Sequence, residues 1–318
     1  MNEATGVPGL RIGQATDPDA RTGCTVLLGP FRAAGHVAGF ATGTRELDSL
    51  SQLHLVPRID ALLLTGGSAF GLAAAEGVTA WLEEQGQGFD TGVARVPIVP
   101  AAVIYDLGVG RSDVRPGAAM GRAACEAART GMPAEGAVGA GTGATAGKVL
   151  GRDRASRGGI GCHIEMQGDY RVLGLAVVNP LGDVRDDHGI VAGARAHDGS
   201  WADATRVIRA AGVPAFGRVG ETHVPAAVPG TNTTLAVVVT DAPLAKDALG
   251  ILARMSIAAL ARRITPVFTP FDGDMIFALS TSPESATVSS GELLAIGTAA
   301  CAVLEQAIVR AVQWGNGP

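Results

Sequence analysis

Five short apolar segments of strand-forming character run through this chain, and four stretches with helical periodicity are mixed among them. The apolar segments cover residues 25–28, 61–65, 172–178, 235–240 and 275–280, and the helical patterns cover residues 69–84, 118–130, 244–263 and 291–314. No regular strand–helix–strand repeat connects the two groups. We therefore predict one layered α/β or α+β domain over residues 1–318, with a sheet covered by helices.

The composition of the chain excludes several classes of protein. Apolar residues make up 47% of the 318 positions and charged residues only 17%, which is typical of a chain with a large core and not of a disordered one. The net charge of −5 argues against a nucleic-acid partner. Because the sequence has no signal-peptide pattern and no long apolar run, we expect a cytoplasmic protein with no membrane-spanning helix and no membrane partner.

The cysteines and histidines give no sign of a metal site. Cys24, Cys125, Cys162 and Cys301 are scattered without a CxxC pair, and we interpret them as buried free thiols. The six histidines include no HExxH motif, and we interpret His188, which follows two aspartates, as a loop residue.

A glycine-rich segment over residues 136–148 resembles a phosphate loop without matching one. It reads GAVGAGTGATAGK, where Thr142 occupies the position of the first required glycine and Val149 follows Lys148 in place of Ser or Thr. A GxGxxA match within it follows no clear strand, so dinucleotide binding is weakly supported. Close backbone packing and a loop that directs Lys148 into a site remain as interpretations.

A second glycine-rich segment, residues 65–71, reads TGGSAFG and follows an apolar strand. It misses the GxSxG nucleophile motif because position 70 is Phe. We therefore interpret Ser68 as the N-cap of the helix predicted over residues 69–84.

An Asn–Thr bond lies just before the apolar run 235–240, and three interpretations of it are open. It is an ordinary loop, a glycosylation sequon that no signal peptide supports, or a site of self-cleavage between Asn232 and Thr233. Cleavage would make the Thr233 hydroxyl a nucleophile and its own α-amine the general base. Since an α-amine has a pKa of about 7.7–8.0, this base needs no histidine.

Two carboxylates follow at Asp272 and Asp274, separated by one glycine at the entrance of the last apolar run. In isolation this triplet is a turn, and it lacks the pattern of an EF-hand calcium loop. The alternative is a pair of carboxylates close to the Thr233 amine and hydroxyl, where they would orient the nucleophile.

The chain resembles the L-aminopeptidase/D-Ala-esterase-amidase family, which also contains β-peptidyl aminopeptidases and nylon-oligomer hydrolases. The resemblance covers nearly the whole chain and rests on segments in a constant order: 9–13 (GLRIG), 22–26 (TGCTV), 43–46 (GTRE), 65–71 (TGGSAFG), 102–106 (AVIYD), 139–143 (GAGTG), 146–148 (AGK), 158–161 (GGIG), 177–180 (VVNP), 232–234 (NTT) and 272–274 (DGD). It implies an αββα sandwich of the N-terminal-nucleophile type. It also implies a precursor that cleaves itself into residues 1–232 and 233–318.

The resemblance also implies roles for individual residues. Thr233 matches the nucleophile, and the acidic pair Asp272 and Asp274 matches the nylon-oligomer branch, whereas the aminopeptidase branch has a Ser-x-Glu arrangement there. Asn179 matches an active-site asparagine, whose side-chain NH2 would donate to the oxyanion. Tyr105 matches an active-site tyrosine that would bind substrate or assist proton transfer.

Lys148 matches a lysine of the nylon-oligomer branch, and it would lower the pKa of the Thr233 amine or bind an acidic end of the substrate.

The resemblance predicts an amide hydrolase that releases residues from the N-terminal end of peptides or peptide-like amides through an acyl-enzyme ester, without metal or organic cofactor. Aminopeptidase, amidase and 6-aminohexanoate-oligomer hydrolase activities all fit this class. An acyltransferase like the ornithine acetyltransferases and a catalytically silent scaffold are the alternatives. The family also implies a homo-oligomer of cleaved αβ units.

Overall fold

The computed structural model describes residues 6–211 and 231–314, so the segment 212–230 that precedes the predicted cleavage site lies outside the described residues. The strands of the described part are, in chain order, β1 (Arg11–Asp17), β2 (Thr22–Val37), β3 (Thr44–Arg45), β4 (Arg58–Thr65), β5 (Phe89–Asp90), β6 (Arg95–Val96), β7 (Ala101–Val103), β8 (Thr145–Ala146), β9 (Ser156–Arg157), β10 (Gly159–Gln167), β11 (Tyr170–Asn179), β12 (Asp183–Arg185), β13 (Ile190–Ala192), β14 (Thr233–Thr240), β15 (Ile264–Thr265) and β16 (Met275–Ser280). The α-helices are α1 (Ala74–Glu84), α2 (Ala118–Glu126), α3 (Ala204–Ala211), α4 (Lys246–Met255), α5 (Ile257–Arg263) and α6 (Ser290–Gln313). All five predicted strands and all four predicted helical regions contain elements of the expected type.

The main sheet has the strand order β10-β11-β14-β16-β2-β4-β7-β3, and β1 pairs with β2. The first half of β2 pairs with β1, while residues 32–37 pair with β16. Its register against β4 shifts between Leu28 and Phe31. Strand β2 pairs with β1 along its first part and with β16 along its last part. It therefore joins the half of the sheet that contains β4 to the half that contains β16.

Three hydrophobic clusters define the layers of the fold. Alternate residues of β11, such as Leu175 and Val177, pack in the central cluster together with Leu62 and Leu64 of β4. The opposite face of β11 packs with α4, α5 and α6 in a second cluster. The other face of β4 packs with α1 and α2 in a third. Since a strand presents successive side chains to opposite faces, this alternation buries both faces and confirms the αββα sandwich.

Two predicted helices, those over residues 244–263 and 69–84, have different boundaries in the structure. The segment predicted as one helix over residues 244–263 is broken at Ser256, whose hydroxyl donates to the Leu252 carbonyl at 2.8 Å. The Met255 carbonyl accepts from the thiol of Cys301, so side chains occupy acceptors around the break.

The prediction of Ser68 as an N-cap is wrong. Residues Ser68–Ala73 form a 3-10 turn that begins after Gly67, and the Ser68 side chain makes no capping bond. Ser68 itself has a φ of 53°, in the left-handed region. The turn is fixed instead by Asp106, whose carboxylate accepts from the Gly67 amide at 2.7 Å.

Helix α6 is long and apolar, and it bears on the prediction that the chain has no membrane-spanning helix. By length and composition it is the one described helix that could cross a bilayer. Its buried positions, which include Ile296, Leu304 and Ile308, pack against the sheet as a core helix does. Gly161 of β10 permits this approach, because a Cβ there would lie 2.1 Å from the Ala307 carbonyl oxygen.

Candidate active site

Thr233 is the first residue of β14, and it lies where three chain segments meet at one end of the sheet. It pairs with Asn179, the last residue of the neighbouring antiparallel strand β11. On the other side, Asn232 forms a parallel bridge with Asp272, just before β16 begins. Asn232 and Thr233 are both buried, with exposures of 0% and 4%.

The bond predicted to be cleaved has the nucleophile beside it. The Thr233 Oγ donates to the carbonyl oxygen of Asn232 at 2.5 Å. The same oxygen accepts the backbone N–H of Gly273 at 2.8 Å. A hydroxyl and an N–H donor therefore converge on the carbonyl that precedes Thr233.

Asn179 is oriented by bonds to both ends of its amide. Its Oδ1 accepts from the Thr145 amide at 3.0 Å and from the Lys148 Nζ at 2.9 Å. Its Nδ2 donates to the carbonyl oxygens of Tyr105 and Thr231 at 3.3 and 3.5 Å. With Oδ1 committed to donors, the NH2 group faces the segment that carries the Asn232–Thr233 bond.

Lys148 is buried and its ammonium contacts acceptors only. Besides Asn179 Oδ1, its Nζ donates to the Thr145 carbonyl at 2.7 Å and to the Asn179 carbonyl at 2.9 Å. Burial lowers the pKa of Lys148 well below its usual value, and Asp272 and Asp274 oppose this effect. Its contacts in the uncleaved chain are thus with Asn179 and Thr145 and not with Thr233.

The two aspartates brace the backbone around the nucleophile. Asp274 accepts the Thr234 amide at 2.6 Å and the Phe268 amide at 3.2 Å. Asp272 accepts the Leu181 amide at 3.1 Å and also bonds to the amide and hydroxyl of Thr269. Within the described residues neither carboxylate hydrogen-bonds to the Thr233 hydroxyl.

Burial perturbs both carboxylates. It raises the pKa of Asp274 to about 8, and the negative charge of Asp272 adds to this effect. Burial also raises the pKa of Asp272, while its bonds to Thr269 and Leu181 and the nearby Lys148 ammonium act in the opposite direction. Perturbed carboxylates beside a buried lysine are typical of functional sites.

Tyr105 follows β7 and lies at the edge of this cluster. Its ring is half-buried beneath the guanidinium of Arg152, 5.0 Å from the ring centroid. Its backbone carbonyl is the group that accepts from Asn179. The next residue, Asp106, is buried and accepts from the Thr22 hydroxyl at 2.7 Å.

All six predicted site residues therefore lie in or beside one cluster. Sequence reasoning gave no role to the Gly273 amide, Thr145, Thr269 or Asp106. The first three act through backbone groups or local bonds that no residue pattern reveals. Asp106 belongs to the segment 102–106 (AVIYD), and its position next to Tyr105 is the only feature of the sequence that indicated it.

Three further predictions concern the cysteines, His188 and metal binding. The four cysteines are buried free thiols, as predicted. His188 lies in a loop, where its amide donates to Asp186. No group of three or more His, Cys, Asp or Glu side chains that could hold a metal ion lies within residues 6–211 and 231–314.

A buried threonine begins a central strand, and its hydroxyl donates to the preceding carbonyl oxygen. These residues lie in an αββα sandwich of the N-terminal-nucleophile hydrolase fold. Residues 2–316 match the model of peptidase family S58, and the chain belongs to that family.

Several relatives agree with this assignment. An uncharacterised aminopeptidase of Mycobacterium bovis is 39% identical, over 98% of this chain and 94% of the relative. A 6-aminohexanoate-oligomer endohydrolase of Agromyces sp. is 33% identical, over 96% of this chain and 83% of the relative.

Solved structures share the fold at lower identity. A β-aminopeptidase of Burkholderia sp. superposes with a TM-score of 0.69 at 23% identity, over 98% of this chain and 86% of that chain. The L-aminopeptidase D-Ala-esterase/amidase of Ochrobactrum anthropi, described as a variant of the Ntn hydrolase fold, gives 0.68 at 19% identity, over 98% and 85%. The protein is thus an amide-bond hydrolase, and the acyltransferase and scaffold alternatives find no support.

Proposed function

We propose that the chain cleaves itself between Asn232 and Thr233 and that the new N-terminal Thr233 is the nucleophile for amide hydrolysis. One observation carries the proposal: the Thr233 Oγ lies 2.5 Å from the Asn232 carbonyl oxygen in the uncleaved chain. Cleavage would leave fragments of 232 and 86 residues. It would also turn the amide nitrogen of Thr233 into a free amine.

The catalytic cycle follows from these groups. The Thr233 hydroxyl attacks the substrate carbonyl while its own α-amine takes the proton. The amine of the substrate departs with a proton, and water then hydrolyses the ester on Thr233. After cleavage, the segment that ends at Asn232 no longer occupies the Asn179 NH2 group. This NH2 group then donates to the substrate oxyanion.

Lys148, Asp272 and Asp274 act as positioning residues in this scheme. Lys148 holds Asn179 Oδ1, which directs the NH2 group outward. Asp274 holds the amide of Thr234, the residue after the nucleophile, at 2.6 Å. Their burial supports a rigid frame around Thr233 instead of direct proton transfer to substrate.

We further propose that the substrates are peptide-like amides, including 6-aminohexanoate oligomers. The Agromyces relative is named for that activity. The two acidic residues of the cluster are already engaged by backbone amides, which leaves no free carboxylate among them for a substrate ammonium. This favours internal amides, whereas the Mycobacterium relative favours an aminopeptidase.

A paired substrate set tests the proposal. Anilides of 6-aminohexanoate and of β-alanine, each with a free and an acetylated amine, are incubated with the cleaved enzyme and with the Thr233→Ala variant. We expect that the cleaved enzyme hydrolyses these anilides and that Thr233→Ala does not. We also expect the cleaved enzyme to hydrolyse the acetylated compounds. Hydrolysis restricted to free amines would support the aminopeptidase, and equal turnover by Thr233→Ala would overturn the role of Thr233.

The homo-oligomer of αβ units is also proposed here. Phe40, Leu53 and Leu55 are large apolar side chains that are 77%, 92% and 96% exposed, and such side chains favour contact between copies of the chain. Mass photometry of the cleaved protein at several concentrations tests this proposal, and a single αβ unit throughout would refute it.

A further inference from the structure

The peptide unit between Asp272 and Gly273 has an unusual set of contacts. Its N–H donates to the Asn232 carbonyl oxygen at 2.8 Å. Its carbonyl oxygen accepts two backbone amides, from Phe40 at 2.8 Å and from Ala41 at 3.0 Å. Donors on one side of a peptide unit polarise it, which strengthens the hydrogen bond that its N–H makes on the other.

The segment that carries this peptide unit is fixed from several directions. The Asp274 carbonyl accepts the amides of Ala38 and Gly39, both at 2.9 Å. The carboxylates of Asp272 and Asp274 hold four further backbone amides, among them that of Thr234. The Gly273 N–H is therefore held in place before any reaction begins.

Only glycine fits at position 273. A Cβ there would lie 2.5 Å from the Ala41 carbonyl oxygen and 3.0 Å from the Thr233 Oγ. The missing side chain lets the backbone approach the hydroxyl and the carbonyl of the Asn232–Thr233 bond together.

We propose that the backbone N–H of Gly273 is the oxyanion donor for cleavage of the chain between Asn232 and Thr233. The inference rests on the self-cleavage proposed above and assigns the group that stabilises its transition state. It also gives the Asp272-Gly273-Asp274 triplet a role. The hydrogen bonds of the two aspartates fix the Gly273 N–H, and the missing side chain of Gly273 lets this N–H approach the Asn232 carbonyl.

The step balances as an acyl shift followed by hydrolysis. The Thr233 Oγ forms a bond to the Asn232 carbonyl carbon, and the carbonyl electron pair moves onto the oxygen that the Gly273 N–H holds. As the carbonyl re-forms, the C–N bond breaks, and the proton from the hydroxyl ends on the Thr233 nitrogen. Water then hydrolyses the ester: its oxygen bonds to the Asn232 carbonyl carbon as the bond from that carbon to Oγ breaks, and one proton goes to Oγ. The new carboxyl group of Asn232 releases its proton to solvent and becomes a carboxylate.

Preorganised donors aimed at the oxygen where charge develops give large rate effects. Removal of one such donor commonly slows a reaction by about 10²–10³-fold. Such donors lie about 2.7–3.1 Å from the oxyanion, and the Gly273 nitrogen already lies 2.8 Å from the ground-state carbonyl oxygen that becomes the oxyanion.

The test replaces this one N–H with oxygen. Cell-free translation with glycolic acid in place of Gly273 gives a full-length chain with a backbone ester, and the same change at Gly168 serves as control. Gly168 is exposed in the β10–β11 turn, at the opposite end of β11 from Asn179. Mass spectrometry follows cleavage over time and separates the 232/233 fragments from any hydrolysis at the new ester.

We expect the ester at 273 to slow cleavage by about 10²–10³-fold and the ester at 168 to leave it unchanged. Circular dichroism verifies that the slow protein is folded. A folded 273 ester that cleaves as fast as the parent chain would overturn the assignment. A parent chain that never cleaves would instead overturn self-cleavage, so the two failures are distinguishable.

A second measurement applies if the 273 ester does not fold. A crystal structure of the uncleaved Thr233→Ala protein reports the distance from the Gly273 nitrogen to the Asn232 carbonyl oxygen. A distance within about 3.2 Å supports the donor, and one beyond about 3.5 Å overturns it.

Discussion

Replacement of Asn179 with aspartate changes one NH2 group to oxygen and tests the donor proposed for the substrate oxyanion. The retained oxygen would keep its bonds to the Lys148 Nζ and the Thr145 amide, which lie 2.9 and 3.0 Å from Asn179 Oδ1 in the parent chain. In the variant these bonds would be made to a carboxylate. The lost NH2 contacts, to Tyr105 and Thr231, are long, at 3.3 and 3.5 Å. The substitution therefore removes the donor while a charge-assisted bond to Lys148 anchors the side chain.

The expected magnitudes differ for folding and for catalysis. The substitution removes the donor from the Tyr105 and Thr231 carbonyls and places an oxygen against them, so we expect the free energy of unfolding to fall by at least about 1–3 kcal/mol even with a stronger bond to Lys148. The loss of one oxyanion donor is expected to lower kcat by about 10²–10³-fold, equivalent to roughly 2.7–4 kcal/mol. Chain cleavage should change by less than about tenfold, because the Gly273 N–H contacts the Asn232 carbonyl.

The assay measures kcat on the cleaved Asn179→Asp protein with a 6-aminohexanoate anilide, and the cleavage rate by intact mass. Gln14→Glu is the matched control, since Gln14 donates its side-chain NH2 to the Ala134 carbonyl at the surface. A kcat within about threefold of the parent enzyme would refute the role of Asn179. A large loss of cleavage together with kcat would show that Asn179 also serves the chain's own carbonyl.

The remaining predictions concern stability. Because the folded-state pKa of Asp274 is raised to about 8, stability from this group is present below pH 4 and falls as pH rises toward 8; urea unfolding of Thr233→Ala should therefore show a weaker pH dependence when Asp274→Asn is added. Lys148→Met leaves buried acceptors unpaired and should lower the unfolding free energy by about 3–5 kcal/mol in urea titrations. Ser289→Ala removes the capping box with Glu292 at the start of α6 and should cost about 1 kcal/mol by thermal unfolding, with kcat unchanged.

Much of the fold could be predicted from the sequence because its signals are local. The alternation that places Leu175 and Ala176 on opposite faces of β11 is visible as an apolar run, and it requires burial on both sides. Helix ends were predicted less well. At the break beside Ser256, the Met255 carbonyl accepts from the thiol of Cys301, which lies 46 positions further along the chain, and the periodicity of a segment gives no sign of such a distant contact.

The residues predicted for the site lie together in the structure, but the hydrogen bonds between them could not be predicted from the sequence. Thr233, Asn179 and the two aspartates were identified through resemblance, and the strand register brings them together. The bonds of Lys148 to Asn179 and of Asp274 to the Thr234 amide arise from tertiary packing. The Gly273 N–H is a backbone group that every residue but proline possesses, so only the geometry distinguishes it.

The most direct test of the central claim is the intact mass of the purified protein under denaturing conditions, combined with N-terminal sequencing. We predict two chains of about 23 and 9 kDa in proportion to their lengths, with the smaller one beginning Thr233-Thr234-Leu235. Thr233→Ala should remain a single 32.0 kDa chain, and Thr233→Ser, which keeps the hydroxyl, should still be cleaved. A parent protein that stays at 32.0 kDa on incubation, or a Thr233→Ala protein that is cleaved, would contradict the N-terminal-threonine mechanism.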